Sequence, residues 1–154
     1  LSPEGAMSVT ESLFQISDLK GFLEGEWRLE RRLDDRRAGQ QGILTGTAVF
    51  AADGDDLLYS EKGRLTMGGH EGPAEQVHRY AFDGPARARV HFRDGRFFHD
   101  LDLAAGRWTA THLCAPDRYD GDFTALGPDS WRVVWRVTGP RKDLILDSSY
   151  RRAL

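Results

Sequence analysis

From Glu26 onward the chain alternates apolar and polar residues with a period of two, and turn-forming residues interrupt that alternation roughly every 8 to 14 positions. A chain so patterned places successive side chains on opposite faces of short strands and cannot hold helical layers. The first strand sets Trp27, Leu29, Arg31 and Leu33 against Arg28, Glu30 and Arg32. A second carries Leu44, Gly46, Ala48 and Phe50 on one face. After the Asp53-Gly54-Asp55 turn, a third carries Leu57, Tyr59, Glu61, Gly63 and Leu65. Further strands are predicted at roughly 75–83, 87–93, 96–103, 107–114, 117–126, 130–138 and 142–151. The one helix expected is a turn or two over residues 18–23, capped by Ser17. Residues 67–73, with three glycines, read as a loop.

About ten antiparallel strands in sequential order, joined by short hairpins, are best closed into an up-and-down β-barrel, because closure removes exposed strand edges. Eight strands already leave space for one small ligand, so ten are expected to leave more. The helical turn would plug one end. At 154 residues the chain is expected to form one barrel domain over residues 7–154, with Leu1 to Ala6, ahead of Met7, set apart as non-native. A net charge of −3 gives no basic surplus for nucleic acid, and no apolar run approaches the roughly 18 residues of a membrane span. A single cysteine excludes an intrachain disulfide and makes the cytoplasm the expected compartment. Oligomeric state is left open, a homodimer among the options.

Local turn chemistry sets an expected register. Asp94-Gly95 fits a two-residue type I′ turn, which would pair Arg93 with Arg96, Phe92 with Phe97 and Val90 with His99. The next turn, at Ala104-Ala105-Gly106, would then bring His99 opposite or diagonal to His112. Trp108, Ala110, His112 and Cys114 share one face of their strand, and Tyr119, Phe123, Trp131 and Trp135 read as an aromatic wall. Two imidazoles, a thiol and a phenol on an otherwise apolar face point to a pocket.

The Gly25-Glu26-Trp27 triplet opening the first strand resembles the calycin superfamily of lipocalins and fatty-acid-binding proteins. That resemblance implies Trp27 packed under an arginine of the last strand, a position Arg151 would fill. A longer series is similar to a mostly bacterial family of unknown function. It comprises Phe22-Leu23-x-Gly25-x-Trp27, Tyr59-x-Glu61-x-Gly63, Asp94-Gly95-Arg96-x-Phe98-His99, His112-x-Cys114-x-x-Asp117-x-Tyr119 and Gly139-Pro140-Arg141-Lys142-Asp143. It implies a barrel and no particular reaction. Ten-stranded nitrobindin-like haem barrels are a further analogue, but Arg28, Leu29 and Glu30 stand where their glycine-rich continuation would be.

Buried charges must find partners, so Arg31 and Glu61, which break apolar faces, either pair with each other or orient a polar ligand group. An arginine fork also suits a carboxylate or phosphate. Arg79 can face either way, as can Tyr150 and Arg151. Arg87, Arg89, His91 and Arg93 read as a solvated outer row with Asp100 and Asp102 as partners. The spacing of His99, His112 and Cys114 matches no recognised metal motif, and neither a metal nor a cofactor is expected. The sequence therefore predicts a barrel binding a small, largely apolar molecule with a polar or anionic group, lined by Arg31, Tyr59, Glu61, His99, His112, Cys114, Tyr119 and Trp135. The alternatives are a small isomerase, cyclase or hydrolase using His99 and His112 as acid and base, or a haem- or metal-binding barrel.

Overall fold

Ten strands wind round one antiparallel sheet in the computed structural model, which describes residues 13–153. The residues ahead of Met7 that the sequence sets apart lie outside them. The strands are β1 Gly25–Asp35, β2 Gln40–Asp53, β3 Asp56–Met67, β4 His70–Gly84, β5 Arg87–Phe92, β6 Phe97–Asp102, β7 Arg107–Cys114, β8 Asp117–Gly127, β9 Ser130–Gly139 and β10 Lys142–Arg152. Consecutive strands pair as hairpins from β1 to β6 and from β7 to β10, and β1 pairs with β10, for example Leu29 with Tyr150. Among the described residues β6 and β7 share no hydrogen-bonded ladder. The barrel is thus nearly closed, with one seam. Trp108 spans it by donating its indole N–H to the Asp100 carbonyl at 2.9 Å.

A short helix, α1 Leu19–Leu23, closes one end and buries Leu19, Phe22 and Leu23. Its cap is Asp18, not Ser17: the Asp18 carboxylate accepts from the Gly21 amide at 3.1 Å. The Trp27 indole donates to the Leu23 carbonyl at 2.8 Å. Arg152 donates to the Phe22 carbonyl at 2.7 Å and the Glu24 carbonyl at 3.2 Å, satisfying the acceptors that a helix end leaves open. The guanidinium also lies 4.2 Å from the centre of the Trp27 ring. Arg152 therefore fills the place that the calycin resemblance gave to Arg151, whose side chain faces solvent. Register explains the difference, because Trp27 stands opposite Arg152 and Arg28 opposite Arg151. Among the described residues no helix is long and apolar enough to cross a membrane.

The turns differ from the expected register in two places. Residues 67–73 are not a loop: Met67 pairs with His70 across a two-residue turn in which Gly68 and Gly69 both have positive φ, 56° and 76°. At Asp94-Gly95 only Gly95 has positive φ, and the Phe92 amide bonds to the Arg96 carbonyl, so the loop is one residue longer than a type I′ turn. Val90 still faces His99, but His91 rather than Phe92 stands opposite Phe97, and Phe98 is the extra residue of a bulge. Phe97 is consequently 44% exposed, while Phe98 and His99 both turn inward.

Candidate functional site

The inner face carries the residues that alternation placed there: Leu29 and Arg31 from β1, Tyr59 and Glu61 from β3, Phe123 from β8, and Trp131 and Val133 from β9; Tyr150 of β10, whose facing the sequence left open, joins them. Inward positions on β4 are His78, Tyr80 and Phe82, which turns Arg79 outward to Asp53 at 2.7 Å and Asp56 at 3.1 Å. The outer row behaves as expected where Arg87 meets Asp100 at 3.2 Å.

The lumen is largely filled by these side chains. Trp131 stacks flat on Tyr150, ring centres 3.8 Å apart, and Phe98 stacks on Trp135 at 5.1 Å. What remains is a cavity of about 110 Å³ that reaches the half-buried Trp135, Tyr119 and Leu146 and the exposed Gln76 at its mouth. Ten strands therefore do not leave the larger space expected of them, because aromatic rings take it up. The volume is below the roughly 300 Å³ lower bound of drug-sized sites and nearer the roughly 150 Å³ that accepts benzene. A wider hollow of about 860 Å³ lies on the outer face of β1, β2, β3 and β10, where Arg32, Asp34, Arg64 and Asp147 surround Ile43 and Ile145. It is a surface depression carrying charges of both signs.

One wall of the cavity is polar and self-satisfied. Arg31 donates to both Glu61 oxygens, at 2.8 and 3.0 Å, and through Nε to Ser148 Oγ at 2.7 Å. Tyr59 donates to Glu61, and the hydroxyls of Tyr59 and Tyr150 are 2.8 Å apart. With the Tyr59 proton committed to the carboxylate, Tyr150 is the donor of that second bond. Burial opposes the Arg31 charge, but Tyr150 and Glu61 outweigh it and hold the guanidinium protonated. Burial, reinforced by Tyr150 and Glu61, pushes Tyr59 well above the ordinary phenol range, and burial first of all pushes Tyr150 up to about 12. Both phenols stay neutral, so Glu61 is the counter-ion of Arg31.

Burial keeps His99 and His78 neutral. His99 Nδ1 is 2.7 Å from the Asp100 carbonyl, which only accepts, so Nδ1 carries the proton and Nε2 keeps its lone pair. Burial lowers the His99 pKa to about 4. His78 meets the His91 carbonyl through Nδ1 at 3.3 Å and Gln76 through Nε2 at 2.7 Å, and burial lowers its pKa too. His99 Nε2 and the hydroxyl of Tyr80, a residue only 5% exposed, make no hydrogen bond among the described residues. The buried indole N–H of Trp131 has no acceptor either. Each such group costs free energy unless a water or a ligand meets it.

Of the expected site residues, Arg31, Tyr59, Glu61, His99, Tyr119 and Trp135 line the cavity. His112 does not: it is half-buried near the rim, and the Phe98 ring lies 4.7 Å from His99 and 5.2 Å from His112, between the two imidazoles. The unpaired seam and the bulge put it there. Cys114 is exposed, because it shares the inward parity of His112 but ends β7 at the open rim, beyond the lumen. Glu61, His99, His112 and Cys114 do not converge, and among the described residues no three His, Cys, Asp or Glu side chains form a metal-sized group. His78, Tyr80, Tyr150 and Ser148 were not singled out from sequence. The period of two on β4 and β10 admitted both faces, and the aromatic stretch Tyr80-Ala81-Phe82 was the available signal.

Fold and site define a ten-stranded calycin-like barrel with a small, partly polar cavity. The chain belongs to a family of unknown function, DUF6314, whose model matches residues 23–152. No curated protein matches the sequence. Among solved structures it is similar to an S-type phycobiliprotein lyase from Guillardia theta, with a TM-score of 0.64 and 9% identity over 94% of this chain and 96% of that one. It is also similar to a protein of unknown function from the DUF3598 family of Nostoc punctiforme, with a TM-score of 0.60 and 13% identity over 92% of this chain and 50% of the other. At such identities the likeness extends to the fold alone.

Proposed function

We propose that this barrel binds a small, largely apolar molecule with one polar group, in the lumen among Arg31, Tyr59, Glu61, His99, Tyr119 and Trp135. The observation that carries the reading is a cavity of about 110 Å³ whose lining leaves the Tyr80 hydroxyl and His99 Nε2 without partners among the described residues. A packed core normally satisfies such groups internally. The phycobiliprotein lyase shares the barrel and lends no substrate, since at 9% identity the likeness is one of fold alone. A hydrolase or isomerase using His99 and His112 together is not favoured, because the Phe98 ring intervenes. We place the protein in the cytoplasm because its lone cysteine, Cys114, is exposed and unpaired, which suits a reducing compartment.

Fragment titration followed by the indole N–H resonances of Trp131 and Trp135 tests the reading. Saturable shifts at both, lost when Val133→Phe fills the lumen in a variant that still folds by circular dichroism, support it. Shifts that persist in Val133→Phe contradict it.

A further inference from the structure

Tyr80, Val90 and His99 stand on one rung of the barrel wall: Tyr80 pairs with Val90, and Val90 with His99. Two strand spacings, about 9.6 Å, separate the backbones of Tyr80 and His99, and Val90 stands between them on the same inner face. Each brings to the same cavity a polar atom with no partner among the described residues. The two atoms differ in kind. His99 Nε2 can only accept, because Nδ1 holds the proton against the Asp100 carbonyl. The Tyr80 hydroxyl can donate. A ligand meeting both must therefore offer an O–H or N–H to His99 and an acceptor to Tyr80.

The electrostatics select further. The Arg31 guanidinium is bound to both Glu61 oxygens and to Ser148, so the cavity holds one cation and one anion already matched to each other. A carboxylate or phosphate entering this space would be buried without a counter-ion, and an ammonium group likewise. This departs from the anionic group that an arginine in a barrel invites. The apolar boundary is planar where Phe98 and Trp135 stack, 17° from parallel, and is completed by Val90, Val133, Phe123 and Leu146 beside Trp131.

From this geometry we infer that the lumen selects a neutral, single-ring aromatic molecule carrying a hydroxyl, which donates to His99 Nε2 and accepts from Tyr80. The inference rests on the lumen-binding reading above and deepens it by naming the ligand class. A phenol offers both functions in one group: its O–H is a donor for His99, and its oxygen an acceptor for Tyr80. A hydrocarbon ring of the same size fills the space but leaves both atoms unpaired. Its carboxylate analogue adds an unmatched charge.

Three probes of one ring size separate these cases: phenol, toluene and benzoate, each titrated into the full chain near neutral pH with calorimetry and Trp indole N–H shifts as readouts. Phenol is expected to bind roughly 10-fold more tightly than toluene, and benzoate about 100-fold more weakly than phenol. Tyr80→Phe and His99→Phe should each weaken phenol binding by roughly 3-fold while leaving toluene within about 2-fold. Should either variant fail to fold by circular dichroism, the ranking of the three probes on the unsubstituted chain decides alone. Toluene or benzoate binding as tightly as phenol overturns the inference and leaves the lumen-binding reading standing. No saturable binding by any of the three overturns both.

Discussion

Arg31 on β1 and Glu61 on β3 join across the intervening β2, both Nη atoms meeting the carboxylate at 2.8 and 3.0 Å. Arg31 stands opposite Leu44 and Glu61 opposite Ala48, and the long guanidinium reaches along the inner face of β2 over Gly46 and Ala48, which carry no bulk to block it. Glu61 is 4% exposed and Arg31 14%, so neither charge has water in the other's absence. Glu61→Leu or Arg31→Met alone is expected to cost about 3–5 kcal/mol, and the double variant to recover most of that loss. Urea denaturation of the four proteins in a double-mutant cycle checks this. Additive losses in the double variant would contradict it.

Gly46 is fixed by the same corner. A Cβ there would run into the Lys62 carbonyl oxygen and the Gly63 Cα opposite, whereas a Cβ on Gly72 meets nothing within 4 Å. Gly46→Ala should destabilise by about 1–3 kcal/mol, and Gly72→Ala should be neutral or slightly stabilising. Thermal unfolding of the two variants compares them directly.

The closed end depends on Arg152, which covers Trp27 at 4.2 Å and donates to the carbonyls of Phe22, Glu24 and Pro128. Arg152→Ala is expected to cost about 2–3 kcal/mol and to loosen α1. Arg151→Ala, at an outward position, should stay within about 0.5 kcal/mol of the unsubstituted chain. Hydrogen exchange at the Phe22 and Leu23 amides should rise only in the first.

Burial depresses the His99 pKa to about 4 from an ordinary 6.5. The unfolded chain therefore binds a proton that the folded chain refuses between those values. The stability associated with neutral His99 is full above pH 6.5, declines as pH falls, and is lost by about pH 4, a change of about 3 kcal/mol. His78, also lowered, adds to the slope in the same direction. Denaturant midpoints measured across that window should fall less steeply for His99→Phe than for the unsubstituted chain. Equal slopes would contradict the buried, neutral imidazole.

Much of the architecture was legible because alternation on long strands survives any local error. On β1 and β3 one correct residue fixes all the others, and Arg31, Tyr59 and Glu61 followed from Trp27 and Leu57. The short strands were harder to read. An extra residue at Phe98 left His99 facing inward, as the alternation required, but turned Phe97 outward and set Phe98 between the histidines. The seam between β6 and β7 has no signature in either strand, since it is the lack of a partner rather than a property of residues. Cys114 shows a second limit: parity tells which face a side chain is on, not how far along the barrel that face remains enclosed. The aromatic filling of the lumen depends on side-chain packing that period-two patterning does not contain.

The proposed ligand is a ring-sized molecule held inside the barrel. Isotope-filtered nuclear Overhauser measurements on the phenol-saturated protein test this most directly, because Val90 and Val133 line the cavity while Ile43 and Ile145 line the outer hollow. Contacts from phenol protons to the methyls of Val90 and Val133, with none to Ile43 and Ile145, are predicted. Contacts confined to Ile43 and Ile145 would contradict it.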